Sequence, residues 1–276
     1  MIGIDWKTYE VGHCTHPERM VRRGGTLASV RFPALVFRLD HPEHGHVLFD
    51  TGYSKYFFAA TARFPELLYR KVTPVHLDAG QSLREQLEAD GIYHSAIGHI
   101  MLSHLHGDHV GGLHDFPDAA LWCSREAWRD MASRSRLGAL RRALLPALFP
   151  QSLLSRCTWF ETLPVAPLPT ALQSLGNGHD LLGDGSLLAV PLPGHAPGHF
   201  GLLFHDRQGV LVFLIADAAW SSQSLREGAL PPGLATAWLG NAPAYRDTFM
   251  RLSALVRDGS GMRIVPSHCN EWRPHG

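Results

Sequence analysis

The chain has 276 residues, 45% of them hydrophobic, which allows one large domain or two small ones around a sizeable core. Lys and Arg total 25 against 25 Asp and Glu, so the formal net charge is zero and the balance draws the chain toward neither nucleic acid nor anionic membrane. Four cysteines with no C-x-x-C pair exclude a thiolate zinc site or disulfide scaffold as the expectation and read as free thiols; the compositional outlier is histidine, at 18 residues.

The N-terminus carries Asp5, Lys7 and Glu10 among its apolar residues and so lacks a secretory h-region. No stretch reaches the ~18 continuous apolar residues of a spanning helix, so the expectation is a cytoplasmic protein without an integral membrane segment. The first fifty residues read as strands. Ala34–Leu39 and Val47–Asp50 form a hairpin about His41-Pro42-Glu43-His44-Gly45-His46, whose histidines are expected at a solvated tip. Residues 54–75 are aromatic, apolar and partly helical. Ser82–Asp90 reads as a helix with Leu83 and Leu87 on one face, ended by Gly91. Ile97–Leu102 is a buried strand, and Ala120–Cys123 another.

Residues 125–156 differ from their surroundings. Leu137, Leu140, Leu144, Leu145 and Leu148 fall at helical spacing, and seven arginines face only Glu126 and Asp130, a net charge of +5. The segment reads as a helical insertion with a greasy and a basic side. It is either packed on the body with solvated arginines, or a substrate lid, a dimer contact or a membrane-surface helix. Beyond it, Leu187–Val190 leads to Pro193-Gly194-His195. Phe200–Phe204 and Val210–Ile215 form a hairpin about Asp206–Gly209 that delivers Asp217. Ala244–Val256 is a helix, and Arg263–Pro266 a last strand that delivers His268. Strands and helices interleave throughout, with no repeat and no clear linker. The class is therefore α/β or α+β with mixed sheets, in a single domain over 1–276.

The chemistry concentrates at His104-Leu105-His106-Gly107-Asp108-His109. Four ligand-type side chains lie within six residues, in a loop just after a strand, and Gly107, Gly111 and Gly112 allow tight turns around them. In an extended segment His104 and His106 point the same way and can reach one metal. Asp108 and His109 follow a turn and can face a second. Imidazoles mixed with a carboxylate suit zinc, and also iron or manganese. His195, Asp217 and His268 each follow an apolar run, a placement that lets distant segments converge at one sheet edge.

Ser-His-Leu-His-Gly-Asp-His-Val-Gly-Gly resembles the H-x-H-x-D-H signature of the metallo-β-lactamase-fold superfamily. Phe49-Asp50-Thr51-Gly52, Gly194-His195-Ala196-Pro197-Gly198-His199, Ala216-Asp217-Ala218 and Pro266-Ser267-His268 resemble its other marks, in the same order. The resemblance implies an αβ/βα four-layer sandwich with two divalent metal ions at one edge. His104, His106 and His195 would hold the first, and Asp108, His109 and His268 the second. Asp217 would bridge them, Asp50 would orient a ligand histidine, and His199 would support the site. A water shared by the metals would be acidified into a nucleophile, with Asp108 moving a proton to the leaving group.

Within that superfamily the layout is most similar to the N-acyl homoserine lactone lactonases, on Tyr9-Glu10-Val11-Gly12-His13-Cys14 and Asp50-Thr51-Gly52. The expected partner is a small molecule with an apolar acyl part, with no nucleic acid and with a homodimer possible. Where the lactonases carry Asp-Ala-x-Tyr, with a tyrosine on the lactone carbonyl, this chain has Asp217-Ala218-Ala219-Trp220. Trp220 offers an indole N–H or a pocket wall. A thioesterase of the glyoxalase II type is the alternative, although only eight residues follow His268, where those enzymes carry a helical region. A redox or metal-binding member without hydrolysis is the other. Phe57, Phe58, Phe64 and Tyr69 are candidates for the wall facing the insertion, or for the core.

Overall fold

The structure, a computed structural model, describes residues 2–20, 24–233, 240–259 and 261–274. A seven-stranded sheet runs in the order β4-β1-β2-β3-β5-β6-β7. Its strands are β1 (Asp5–Pro17), β2 (Ser29–His41), β3 (Gly45–Phe49), β4 (Val75–His76), β5 (Ile97–Met101), β6 (Ala120–Cys123) and β7 (Cys157–Trp159). A six-stranded sheet runs β13-β12-β11-β10-β9-β8. It contains β8 (Val165–Pro167), β9 (Asn177–Asp180), β10 (Leu188–Pro191), β11 (Phe200–His205), β12 (Leu211–Ala216) and β13 (Arg263–Pro266).

Side-chain alternation builds the layers. Leu35, Phe37 and Leu39 of β2 face the second sheet and meet Leu202, Phe204, Val212 and Leu214, whereas Ala34 and Val36 face the helices outside. Both faces of β2 and β3 are covered, and for that reason these strands read as continuous apolar runs rather than alternating ones. Outside the first sheet lie α1 (Lys55–Ala60), α2 (Leu67–Val72), α3 (Leu83–Ala89), α4 (Gly107–Val110) and α5 (Arg125–Ala132). Outside the second lie α8 (Ser222–Glu227) and α9 (Ala242–Arg257). The result is the expected αβ/βα sandwich. Among the described residues no helix is long and apolar enough to cross a membrane.

Local signals fix the boundaries. Ser82 and Glu85 form a reciprocal capping box at the start of α3, so that helix begins one residue after its cap. Asn241 caps α9, which starts two residues before the predicted Ala244 and ends one beyond Val256. All four cysteines are free thiols.

Two expectations need correction. The turn after β2 is not wholly solvated. His41 is buried, its Nε2 lies 3.0 Å from Ser186 Oγ, and its Nδ1 accepts from the backbone N–H of Glu43 and His44. The 125–156 segment is not one amphipathic helix. It breaks into α5, α6 (Arg136–Arg141), a 3-10 turn at Pro146–Leu148 and α7 (Leu153–Arg156), with Ala143 at φ 56°. Leu144, Leu145 and Leu148 are buried while Leu137 is exposed, so the leucines do not share one face. Its arginines are not simply solvated. Arg134 pairs with Asp130, Arg136 with Glu66, and Arg156 donates to the carbonyls of Phe116 and Ala119. Of the aromatic candidates for wall or core, Phe57 takes the core role and Phe64 is exposed.

Candidate metal centre

β5 ends at Met101, and the chain leaves the sheet edge through Ser103, His104 and His106 before turning into α4. Gly111 and Gly112 are required there, though not for a tight turn. Their φ values are −59° and −90°, but a Cβ would come within 2.6 Å of Gly52 O and 2.7 Å of Thr51 O respectively. The 50–54 loop clamps this segment from the side. The backbone N–H and hydroxyl of Thr51 both donate to His109 O, at 2.8 and 2.9 Å, and the Ser54 hydroxyl donates to Gly111 O.

The second sheet delivers the remaining residues. His195 sits in the loop between β10 and β11, Asp217 directly after β12, and His268 two residues after β13. Gly194, at φ 131°, lets that loop touch α9, since a Cβ would meet Tyr245 N at 2.1 Å. Two backbone bonds join the sheets beside the site. Phe200 N–H donates to Ser103 O, and Leu35 N–H to Ser267 O, both at 2.9 Å.

These elements bring the predicted residues together. His104 Nε2 and His195 Nε2 each lie 3.0 Å from His106 Nδ1. His268 Nε2 lies 3.4 Å from Asp108 Oδ2, and His109 Nε2 lies 3.7 Å from it. Asp217 stands between the groups. Its Oδ1 is 3.3 Å from His109 Nε2 and 3.1 Å from His268 Nε2, and its Oδ2 is 3.2 Å from His195 Nε2. Three triads have atoms close enough to hold a cation: His104/His106/His195, Asp108/His109/His268, and His104/His109/Asp217, which links the other two.

Hydrogen bonding to the opposite ring nitrogens turns the Nε2 atoms of His104, His109 and His268 inward. Asp50, wholly buried, accepts from His109 Nδ1 at 2.7 Å, from the Ser103 hydroxyl at 2.7 Å and from Ser103 N–H at 2.8 Å. With its proton given to Asp50, the Ser103 oxygen accepts from His104 Nδ1 at 3.0 Å. His268 Nδ1 donates to Pro33 O at 2.8 Å. The Nδ1 atoms of the three rings are thus held from behind, and their Nε2 atoms face inward. His109 Nε2 and Asp217 Oδ1 are buried with no hydrogen-bond partner, an arrangement that is costly unless another group completes it. His199 lies beside the group, its Nε2 accepting from Asp217 N–H at 3.2 Å.

The electrostatics divide along the same line. Burial pushes His104 and His195 well below the usual imidazole range and His106 down to about 4, so these rings are neutral donors. Burial also opposes protonation of His109 and His268. The carboxylates prevail there: Asp108, Asp50 and Asp217 raise His109, and Asp217 and Asp108 raise His268. Burial works against the Asp217 carboxylate, but His268, His109 and His195 hold it well below the usual range. One half-site is thus a set of neutral imidazoles, and the other is rich in negative charge.

Residues 31–233 match the family model of the metallo-beta-lactamase superfamily. The chain belongs to that superfamily. This metallo-beta-lactamase superfamily member is 28% identical over 220 residues to the N-acyl homoserine lactonase AttM of Rhizobium radiobacter, covering 77% of this chain and 74% of the relative. It superimposes on an N-acyl homoserine lactone hydrolase solved with the product N-hexanoyl-L-homoserine bound at the catalytic metal center. That match has a TM-score of 0.72 and 19% identity, covering 98% of this chain and 95% of the other. AidC, a dizinc quorum-quenching lactonase in complex with a product, matches with a TM-score of 0.65 and 16% identity, covering 98% and 89%. The protein is a metal-dependent hydrolase related to N-acyl homoserine lactonases.

Two contributors to the superfamily site were not read from the sequence. Ser103 relays between Asp50 and His104, and the Pro33 carbonyl holds His268. A backbone carbonyl leaves no mark in a sequence, but Ser103, directly before the motif, could have been weighed. The insertion, one of whose readings was a substrate lid, reaches the site through its backbone. Leu144 forms an antiparallel bridge with His106, and the Arg142 backbone faces the His106 ring. Trp220 lies 6.4 Å, ring to ring, from both His195 and Phe32, and Phe32 lies 6.1 Å from His268. The two aromatic rings flank the histidines of both half-sites.

Proposed function

We propose that this protein opens a lactone or cleaves a related carboxylic ester, with an N-acyl homoserine lactone-like substrate foremost. The observation that carries this reading is the meeting of two ligand sets across Asp217, with the Nε2 atoms of His104, His109 and His268 turned inward by hydrogen bonds on the far side. The donor set fits two divalent cations, zinc first and iron or manganese next. In this reading His104, His106 and His195 hold one, Asp108, His109 and His268 hold the other, and Asp217 touches both. Such cations, when bound, polarise a carbonyl and acidify water.

The remaining roles belong to the chain. The Asp108 side chain is the most accessible among these ligands, at 12% relative exposure, and is the candidate to hand a proton to the departing oxygen. His199 and Asp50 hold Asp217 and His109 in place. Trp220 and Phe32 supply an apolar wall suited to an acyl group, and the Trp220 indole N–H is available as a donor.

The test is a metal analysis joined to a substrate screen of short- and long-chain acyl homoserine lactones, γ-lactones, alkyl esters and acyl thioesters. Two metal equivalents per chain and lactone turnover are expected, abolished by Asp108→Ala and Asp217→Ala. Thioesters cleaved with no lactone opened would move the protein to the thioesterase alternative. A single redox-active iron that consumes oxygen would sink the hydrolase reading.

A further inference from the structure

The zero net charge of the chain conceals a segregation. Residues 63–72 and 125–156 together hold ten of the 25 Lys and Arg and only three carboxylates, Glu66, Glu126 and Asp130, a net charge of +7 that the rest of the chain offsets. The two segments meet. Arg136 of α6 pairs with Glu66 at 2.6 Å and donates through Nη2 to Phe64 O at 3.4 Å. Glu66 is thereby neutralised, as Asp130 is by Arg134. Arg63, Lys71 and Arg141 are exposed, and among the described residues no carboxylate pairs with them.

α2 carries an apolar row outward. Leu67 N–H donates to Arg63 O at 2.8 Å, so the helical winding starts at Arg63 and sets Phe64, Leu68 and Val72 one turn apart. All three reach solvent, at 73, 46 and 68% exposure. Pro65 and Tyr69, also a turn apart, hold the helix to the body. Pro65 is buried, and the Tyr69 ring packs edge-on against Phe57 with centroids 5.5 Å apart. Leu137, 59% exposed, adds to the row from α6 beside Arg136, and Arg141 follows it by one turn. A single exposed leucine is ordinary. Four large apolar side chains rimmed by unpaired cations are the pattern of a surface that meets something.

A second copy does not fit this face, because a symmetric contact would set +7 against +7. An anionic bilayer does. Its headgroup phosphates suit long cationic side chains, whose stems stay with apolar surface while their charges stay in the polar layer, and its acyl boundary suits the row itself. We propose that this protein docks on anionic phospholipid surfaces through the α2–α6 ridge, with Phe64, Leu68, Val72 and Leu137 entering the acyl boundary and Arg63, Lys71 and Arg141 on the headgroup phosphates. The contact is interfacial and does not depend on the hydrolase reading.

The experiment is co-sedimentation of the full chain with vesicles of phosphatidylcholine, alone or with about 30 mol% phosphatidylglycerol. At about 0.1 M NaCl the anionic vesicles should be bound about tenfold more tightly than the neutral ones or better, and about 0.5 M NaCl should remove most of that preference. Phe64→Ser/Leu68→Ser should weaken binding to the anionic vesicles by about tenfold or more, from the apolar area withdrawn from lipid. Arg63→Glu/Lys71→Glu should weaken it comparably while leaving the apolar row intact, so the outcome does not hang on the folding of one variant. Val165→Ser, at an exposed valine of β8 in the other sheet, should change nothing. Equal binding to neutral and anionic vesicles, or binding to neither, would overturn the proposal. Binding indifferent to Phe64 and Leu68 would reduce the contact to charge adsorption and overturn it as well. A dimer in sedimentation velocity that the Phe64→Ser/Leu68→Ser chain cannot form would give the ridge to a second copy, and poly-glutamate bound as tightly as the vesicles would give it to an acidic protein.

Discussion

Replacing Asp50 by Asn tests whether the ligand histidines are oriented from behind. The choice of Asn matters, because position 50 sits at φ 66°, a conformation that Asn tolerates and Ala does not. The carboxylate is wholly buried and accepts three hydrogens, from Ser103 N–H, the Ser103 hydroxyl and His109 Nδ1. An amide has one accepting oxygen. If that oxygen stays on Ser103 N–H, the amide N–H₂ faces the Ser103 hydroxyl and His109 Nδ1. The His109 proton is then driven to Nε2, the atom needed for metal. If the amide flips, an N–H faces the Ser103 N–H instead. Either way a buried charge-assisted bond is lost, a cost of about 1.5–3 kcal/mol. Metal affinity on the His109 side should fall on the order of 10–100-fold, or about 1.4–2.7 kcal/mol. The assay is metal content by mass spectrometry after dialysis against graded chelator. Asp50→Asn should surrender metal at a lower chelator concentration than the parent, the His109 side first. Identical release curves for the two proteins would refute the tautomer argument.

Other outcomes follow from the same geometry. Burial holds His199 down at about 3, so below its unfolded value of 6.5 the unfolded chain binds a proton that the folded chain refuses. This ring therefore costs the fold progressively more stability as the pH falls from about 6.5 toward 3, and none at pH 8. Metal-free His199→Gln should be the less stable protein at pH 8, and by pH 5 the comparison should have moved in its favour by about 2 kcal/mol in urea titrations; a pH-independent difference would count against it. Gly194→Ala forces a Cβ to 2.1 Å from Tyr245 N, so the His195 loop must move. One metal equivalent should be lost with the fold retained by circular dichroism, and full metal content would mean the loop tolerates the shift. Trp220→Ala should raise KM for long acyl chains by about tenfold, the worth of one aromatic wall, and leave short-chain substrates nearly unchanged; uniform effects would place Trp220 outside the acyl site.

The site was legible in the sequence because its side chains cluster in sequence and follow strands. Apolar runs ending at Met101, Ala216 and Pro266 locate one sheet edge, and His104, Asp217 and His268 mark it. The same runs pointed to a mixed α/β class, while the αβ/βα sandwich followed only from the family resemblance. What remained illegible depends on backbone. His41 is buried because a residue 145 positions away, Ser186, bonds it. The glycines at 111 and 112 were read as turn residues, but they are small because Gly52 and Thr51 pass so close. Helical spacing in the insertion was real only piecewise, since Ala143 and Pro146 interrupt it.

The bridge between Leu144 and His106 has a thermodynamic consequence. The insertion, whose Arg142 and Leu144 line a pocket beside His106, also holds the backbone of that candidate metal ligand. Any molecule that binds the insertion more tightly when His106 holds its own ligand must, by linkage, tighten that ligand by the same factor. Changes to the insertion that alter substrate choice would then appear in metal titrations as well as in rates, so selectivity and metal retention in this protein are not independent variables.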